Sequence, residues 1–399
     1  MKRSLYLPFF VAAALFVQAC SDDDGASGPS LEDKEADAIE TYADIVYASY
    51  DDSYNTAVTL KTQIDAFVAA PTAEKLTACK TAWLAARLPY GQTEAYRFYN
   101  GPIDNEDETN GPLGKEGLIN AWPIDESFID YTVGSSGESV NLINNNEEYP
   151  EITKGLLEEL NESFGETSIF TGYHAIEFLL WGQDLNEDGP GNRPYTDYLT
   201  EGGTHENATR RGQYLKVVTE LLVDNLKEVR DAWKDGATYR TKFVETTETP
   251  VTVGFIFKAL GELSKGELAG ERMTVAVDEH DQENEHSCFS DNTVNDIKMN
   301  FKGLKNVYYG SYTRVDGTTV DGASFKDIAE DADATKAKKL EDAFADAEAK
   351  INLIKAPFDQ SIKAGSADND AIWDAIGALT ALSDFSADVA QSLGAEVSE

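Results

Sequence analysis

Apolar side chains return along this chain at steps of three and four, and a chain patterned in that way folds as helices that each bury one face. Ile39, Tyr42, Ile45, Val46 and Tyr50 share such a face, and Leu60, Ile64 and Phe67 continue it. Pro71 and Thr72 end this helix and start another. The second carries Leu76, Cys79, Trp83, Arg87, Glu94 and Phe98 on successive turns and is expected to bend at Pro89, which lacks a backbone donor. Further helices are expected at 150–160, 167–182, 207–236, from 249 onward, and at 335–354 and 370–393. Asn207 stands where an N-cap belongs, Gly236 where a C-cap glycine belongs, and Thr249-Pro250 reads as an N-cap and first-turn pair. No hairpin is legible. The expected class is all-α, two up-and-down helical bundles meeting along a cleft, residues 33–204 and 205–399. Within 101–146 the helical period stops. Trp122, Phe128, Ile129 and Tyr131 give that stretch apolar groups to dock with, so it reads as a long ordered excursion.

The first residues have another purpose. Lys2 and Arg3 precede an apolar run, Leu5 to Val17, that closes on Val17-Gln18-Ala19-Cys20. This is a signal peptide over 1–19 with a lipobox, and Cys20 is the expected lipid attachment point. Pro8 interrupts the run, which is shorter than the roughly 20 residues a membrane span needs. Residues 20–32 read as a flexible tether. The expected address is the cell envelope, probing either the periplasm or the cell surface from an outer membrane. A net charge of −39 argues against nucleic acid or anionic lipid as a partner and leaves the lipid as the only membrane contact. Cys79 and Cys288 show no pairing rule, and both a disulfide and two buried thiols stay open.

The chemistry concentrates at Gly172-Tyr173-His174-Ala175-Ile176-Glu177-Phe178-Leu179-Leu180-Trp181. A helix apolar on every side is buried, and His174 and Glu177, three apart, share one of its faces. A buried carboxylate needs compensation. A cation held by imidazole and carboxylate would supply it, as would a mutual hydrogen bond beside an arginine. Arg87 with Glu94, and Glu267 with Glu271, are further polar pairs on apolar stripes. Gly261, Gly266 and Gly270 accompany the last pair, which suggests a second backbone passing close by.

The strings Gly172-x-His174-x-x-Glu177, Trp83-x-x-Ala86-Arg87-x-Pro89-Tyr90-x-x-x-Glu94 and Gly266-Glu267-Leu268-Ala269-Gly270-Glu271-Arg272-Met273 resemble the imelysin family. Arg97 to Asp104, Asn120 to Pro123 and Glu285 to Thr293 look closer still to its iron-regulated protein A branch. The resemblance runs from about Ala36 to Leu393. It implies two helical bundles with the His-Glu motif at their interface, an envelope location and a link to iron uptake. Some members carry a metallopeptidase label. A zincin, however, needs two histidines, a third ligand and a separate glutamate as base. His174 is the motif's one histidine, His205, His280 and His286 lie in acidic, loop-like contexts, and Glu177 is ill placed to be both ligand and base.

The expected metal site is therefore His174 and Glu177, completed by Glu94, Glu267 or Glu271, with Arg87 orienting a carboxylate and Trp83, Trp181 and Arg272 lining it. Iron is favoured, with zinc as the other candidate. Asp184, Asn186 and Asp188 match the first half of a calcium loop, although Tyr195 holds its twelfth position. The leading function is a metal-binding, iron-linked envelope lipoprotein taking a metal ion or metal complex. A metallopeptidase is the enzymatic alternative. A receptor for an extracellular polymer or protein partner, using 101–146, is the third.

Overall fold

A computed structural model describes residues 29–105, 114–133, 141–186 and 189–395. The signal segment, Cys20 and most of the tether lie outside these residues, as does Asp188. Helix α1 (Leu31–Ala69) begins earlier than the expected tether end, because Ser30 and Asp33 close a reciprocal capping box at its start. Then come α2 (Ala73–Thr93), α3 (Glu116–Ile119), α4 (Lys154–Leu160), α5 (Gly172–Trp181) and α6 (Ala208–Ala232). The second half contributes α7 (Thr238–Thr241), α8 (Thr249–Glu262), α9 (Val275–Glu279), α10 (Thr293–Tyr309), α11 (Phe325–Ile351), α12 (Phe358–Ile362) and α13 (Asn369–Ser392). The fold is all-α in bundles. α1, α2, α5 and α6 pack together, α8, α11 and α13 form the second group, and α10 lies between them against α2 and α11.

Several local expectations need correction. The junction near residue 205 falls inside the first bundle, since α6 packs along α1 and α5. Asn207 adopts a left-handed conformation and makes no side-chain cap; its amide donates to Asn144 instead. Thr249 is the first helical residue, with Glu248 before it. A small antiparallel hairpin, Ser311–Thr313 with Thr319–Asp321, stands where none was expected. The glycines at 261, 266 and 270 do not mark a passing backbone. Only Gly261 faces another element, the Ser383 hydroxyl of α13, and the chain instead winds as a π-helix over Leu263–Thr274.

The excursion is ordered over its described residues. Ile119, Ile124, Ile129, Leu142 and Ile143 are buried in the common core. Arg210 on α6 collects the carbonyls of Leu142, Ile143, Tyr149 and Pro150, which explains how an aperiodic segment keeps its backbone satisfied. Cys79 and Cys288 are both buried free thiols. Among the described residues no helix is long and apolar enough to cross a membrane.

Candidate functional site

Every residue of α5 is buried. The helix starts at Gly172, whose φ of +80° and 2.5 Å approach of a would-be Cβ to the Ile119 carbonyl oxygen admit only glycine. That contact fixes the start of α5 against Ile119 and Asn120. Within the first turn, His174 Nδ1 lies 2.9 Å from Glu177 Oε2. Glu177 Oε1 accepts the Ser290 N–H at 2.9 Å and the Ser290 hydroxyl at 2.6 Å. His174 Nε2 has no hydrogen-bond partner.

The partner sequence reasoning passed over is His286. Its ring is 2% exposed and its centroid stands 4.9 Å from that of His174. The expectation that it occupies a loop-like acidic context is corrected: the loop is an interior one. Trp122 Nε1 donates to the Glu285 carbonyl at 2.5 Å, and the Ser287 N–H donates to the Thr293 hydroxyl at 3.1 Å. His286 Nε2 lies 3.4 Å from the Asn120 amide, and Nδ1, 3.5 Å from Asp296 Oδ2, makes no hydrogen bond. Burial, then nearby arginines, pushes both imidazoles well below their ordinary pKa, so both rings are neutral.

Arg87 leaves α2 to meet Asp296 of α10, Nε to Oδ1 at 3.1 Å, and donates to Asn120 Oδ1 at 2.5 Å. Its guanidinium lies 5.0 Å from the Tyr173 ring centre and 5.6 Å from that of Trp83. Trp181 packs edge-on against Trp83 at 5.3 Å. Asp296 also takes the Asn292 amide and the Ser287 hydroxyl. Despite burial, Arg87 and the neighbouring donors hold its carboxyl far below the usual range. Burial pushes the Glu177 carboxyl up to about 8, with the Ser290 hydrogen bonds and Arg87 only partly opposing it.

The remaining expected ligands are engaged elsewhere. Glu94 accepts from Arg272 at 2.6 Å and from Arg97 at 3.1 Å. Burial raises its carboxyl, and the two arginines more than reverse that, to about 2. Arg272 also reaches Glu267 at 3.3 Å and Asn300 at 2.6 Å. Glu271 is exposed. Within the π-helix Arg272 is buried while Glu271, beside it, is exposed.

The imelysin profile (peptidase M75) matches residues 46–385. The chain belongs to the imelysin family. It is 24% identical over 356 residues to the iron-regulated protein A of Synechococcus elongatus, covering 87% of this chain and 83% of that one. Two solved structures share the fold. A Parabacteroides distasonis protein described as an iron-regulated protein A precursor has a TM-score of 0.69 at 17% identity, over 92% of this chain and 97% of its own. An imelysin-like protein of Psychrobacter arcticum has a TM-score of 0.64 at 16% identity, over 93% and 98%.

How far does this imelysin's centre fit a metal? His174 Nε2 and His286 Nδ1 make no hydrogen bond among the described residues, with Asp296 Oδ2 3.5 Å from the latter, and neutral imidazole is the form that ligates metals. The carboxylates are less free. Glu177 and Asp296 are occupied by protein donors, Glu94 and Glu267 by arginines, and among the described residues no three His, Cys, Asp or Glu donors surround one point. The two imidazoles therefore stand with Glu177 at His174 Nδ1 and Asp296 3.5 Å from His286 Nδ1, while Glu94 and Glu267 are paired with Arg272 and Glu271 is exposed. In the calcium-loop segment, Asp184 Oδ1 accepts the Asn186 N–H at 3.1 Å, and the Asn186 amide donates to the Pro190 carbonyl at 2.6 Å. Those two side chains close a turn on themselves.

Proposed function

We propose that this family member is an envelope lipoprotein of iron handling that takes up a bare transition-metal ion between His174 and His286, with Glu177 as the adjacent acid. The observation that carries the reading is the pair of buried imidazoles with ring centroids 4.9 Å apart, each with a ring nitrogen that makes no hydrogen bond among the described residues. Buried polar atoms left in that state ask for a ligand. Imidazole suits ferrous iron and its neighbours in the transition series. The iron link rests on the name carried by the Synechococcus relative. His174 and His286 would hold the ion, and a bound cation would supply the positive charge that lets Glu177 ionise. Arg87 and Asn120 orient the surroundings by fixing Asp296 and the His286 ring. A peptidase reading gains nothing here, since His174, Glu177 and His286 are 1%, 0% and 2% exposed and Glu177 already has partners on both oxygens.

The test is elemental analysis of the mature chain purified without chelator, with melting curves of wild type, His174→Ala and His286→Ala in ferrous iron or zinc. A metal-induced rise in Tm is expected in wild type and absent from both variants. Equal shifts in all three proteins, or none in any, overturn the site. Cys20→Ser is expected to release the protein from membranes, and persistence after a high-salt wash would overturn the anchor.

A further inference from the structure

Two faces of α10 follow the same spacing with different residues. Ile297, Phe301, Leu304 and Tyr308 recur at steps of four, three and four and are buried in the core. One position on, Lys298, Lys302, Lys305 and Tyr309 repeat those steps and so share the neighbouring face. That face borders a cavity of about 520 Å³ between α10, the end of α11 and the strand Ser311–Thr313. Phe301, Tyr309 and Ile351 give it an apolar lining. The first two are set by ring contacts with Phe344, at 6.1 and 5.7 Å between centroids. Lys302, Thr313 and Asn352 are exposed along it, so it opens to solvent. Its size lies within the roughly 300–1,000 Å³ of small-molecule sites.

The charge of this cavity runs against that of the chain. The sequence has 72 acidic and 33 lysine and arginine residues, yet three lysines and a single acid, Glu348, line the cavity. Glu348 is already taken by Lys305, whose Nζ lies 2.8 and 2.9 Å from its two oxygens. Among the described residues Lys298 and Lys302 form no ion pair, and the Tyr309 hydroxyl forms no hydrogen bond. A net charge of −39 repels anions from the molecule at long range. At short range, two unmatched ammonium groups beside an aromatic lining reverse that sign.

We propose that this cavity binds a small organic anion with an aromatic body. Its acid group is held by Lys298 and Lys302 through charge-assisted hydrogen bonds, and its ring covers Tyr309 and Ile351. The ammonium groups select an acid over a neutral ring. The apolar lining selects a ring over a bare inorganic anion, which would leave that surface wet. A polyanion is disfavoured, because most of its charge would lie over the acidic remainder of the surface. The cavity shares no lining residue with the His174–His286 centre, and its ligand needs no metal.

The experiment uses the full mature chain with chelator present, so that failure of the imidazole site leaves it untouched. Naphthoate is titrated by calorimetry beside naphthalenemethanol, its neutral counterpart, and inorganic sulfate. One naphthoate per chain is expected, with binding that weakens as salt rises. The alcohol and sulfate should each bind at least about tenfold more weakly, the equivalent of one charge-assisted hydrogen bond. The double variant Lys298→Gln, Lys302→Gln should lose at least as much for naphthoate while melting as wild type does. Lys154→Gln, on α4 and outside the cavity, should bind naphthoate as wild type does. No naphthoate bound at millimolar concentration, equal binding of the alcohol or of sulfate, unchanged binding in the double variant, or equal weakening in Lys154→Gln overturns the proposal.

Discussion

Two polar clusters are buried near α5, and the protein completes only one of them. In the first, Asp130 of the excursion takes Arg193 at 2.7 Å and both Arg211 Nε and NH2, at 2.6 and 2.9 Å. Asp197 takes the Tyr131 hydroxyl at 2.5 Å and the Thr204 hydroxyl at 2.7 Å, and its backbone carbonyl accepts Arg211 NH1 at 2.7 Å. Arg193 Nε alone is left over. Charge balances charge, and the result is a rivet between the excursion, the segment after α5 and α6. In the second cluster, His174 and His286 are neutral and each keeps a nitrogen without a hydrogen bond among the described residues, while Arg87 offsets only part of what burial does to Glu177. The first cluster is closed by its own charges; in the second, two imidazole rings with centroids 4.9 Å apart each keep a nitrogen without a hydrogen bond among the described residues.

Breaking the filled cluster should cost most. Asp130→Asn strands Arg193 and Arg211 in the interior, and a loss of about 3–5 kcal/mol is expected. His174→Leu removes one neutral hydrogen bond and an idle nitrogen, so the metal-free protein should lose no more than about 2 kcal/mol. Urea unfolding of both variants without metal ranks them. A larger loss in His174→Leu than in Asp130→Asn would show that the histidine is a structural member of its cluster.

The next effect is in pH. Glu177 keeps its proton up to about 8 in the folded chain and to its ordinary value of 4.5 when unfolded. Between these values the native state binds more protons, so this group's contribution is full at low pH and is lost as pH rises through 8. In metal-free protein the loss should be on the order of 1–3 kcal/mol, and Glu177→Gln should flatten it. Saturating metal should flatten it as well by favouring the ionised carboxylate. The measurement is chemical denaturation from pH 5 to 8.5 on both proteins, and parallel curves would remove Glu177 from the unpaired class.

The sequence already carried the class of fold, because a 3.6-residue period reports burial directly. It did not carry partners. α6 joins α1 and α5 rather than the second half, and nothing in its own period could indicate which bundle it serves. The π-helix at Leu263–Thr274 escaped for a related reason: its composition is that of an α-helix, and one changed hydrogen-bond step redirects Arg272 and Glu271. A signal was available for the hairpin in Asp316-Gly317, where Gly317 has a φ of +87°, between strands too short to show alternation. His174, Glu177, Arg87, Trp83 and Trp181 were legible and do come together. His286 and Asp296 were not, because acidic neighbours make the 280–296 stretch look solvated when it is interior. Asn120 to Pro123 and Glu285 to Thr293, long strings shared with the family, were the clue.

The smallest expected effect bears on where the site ends. Glu271 follows the glycine of its motif and, read on an ideal helix, would share a face with Glu267; on the π-helix it is exposed, while Arg272 beside it is buried against Glu94. An exposed carboxylate with no ion pair among the described residues contributes little, so Glu271→Ala should change stability by no more than about 0.5 kcal/mol. It should also leave any metal-induced Tm shift intact. Glu94→Gln is the informative partner in this comparison, because it removes the negative charge that Arg272 and Arg97 share and should lower Tm clearly without metal. If Glu271→Ala instead abolishes the metal response while melting normally, the ion is held on the outer face of the π-helix, and the two histidines are only the interior of a site that opens toward solvent there.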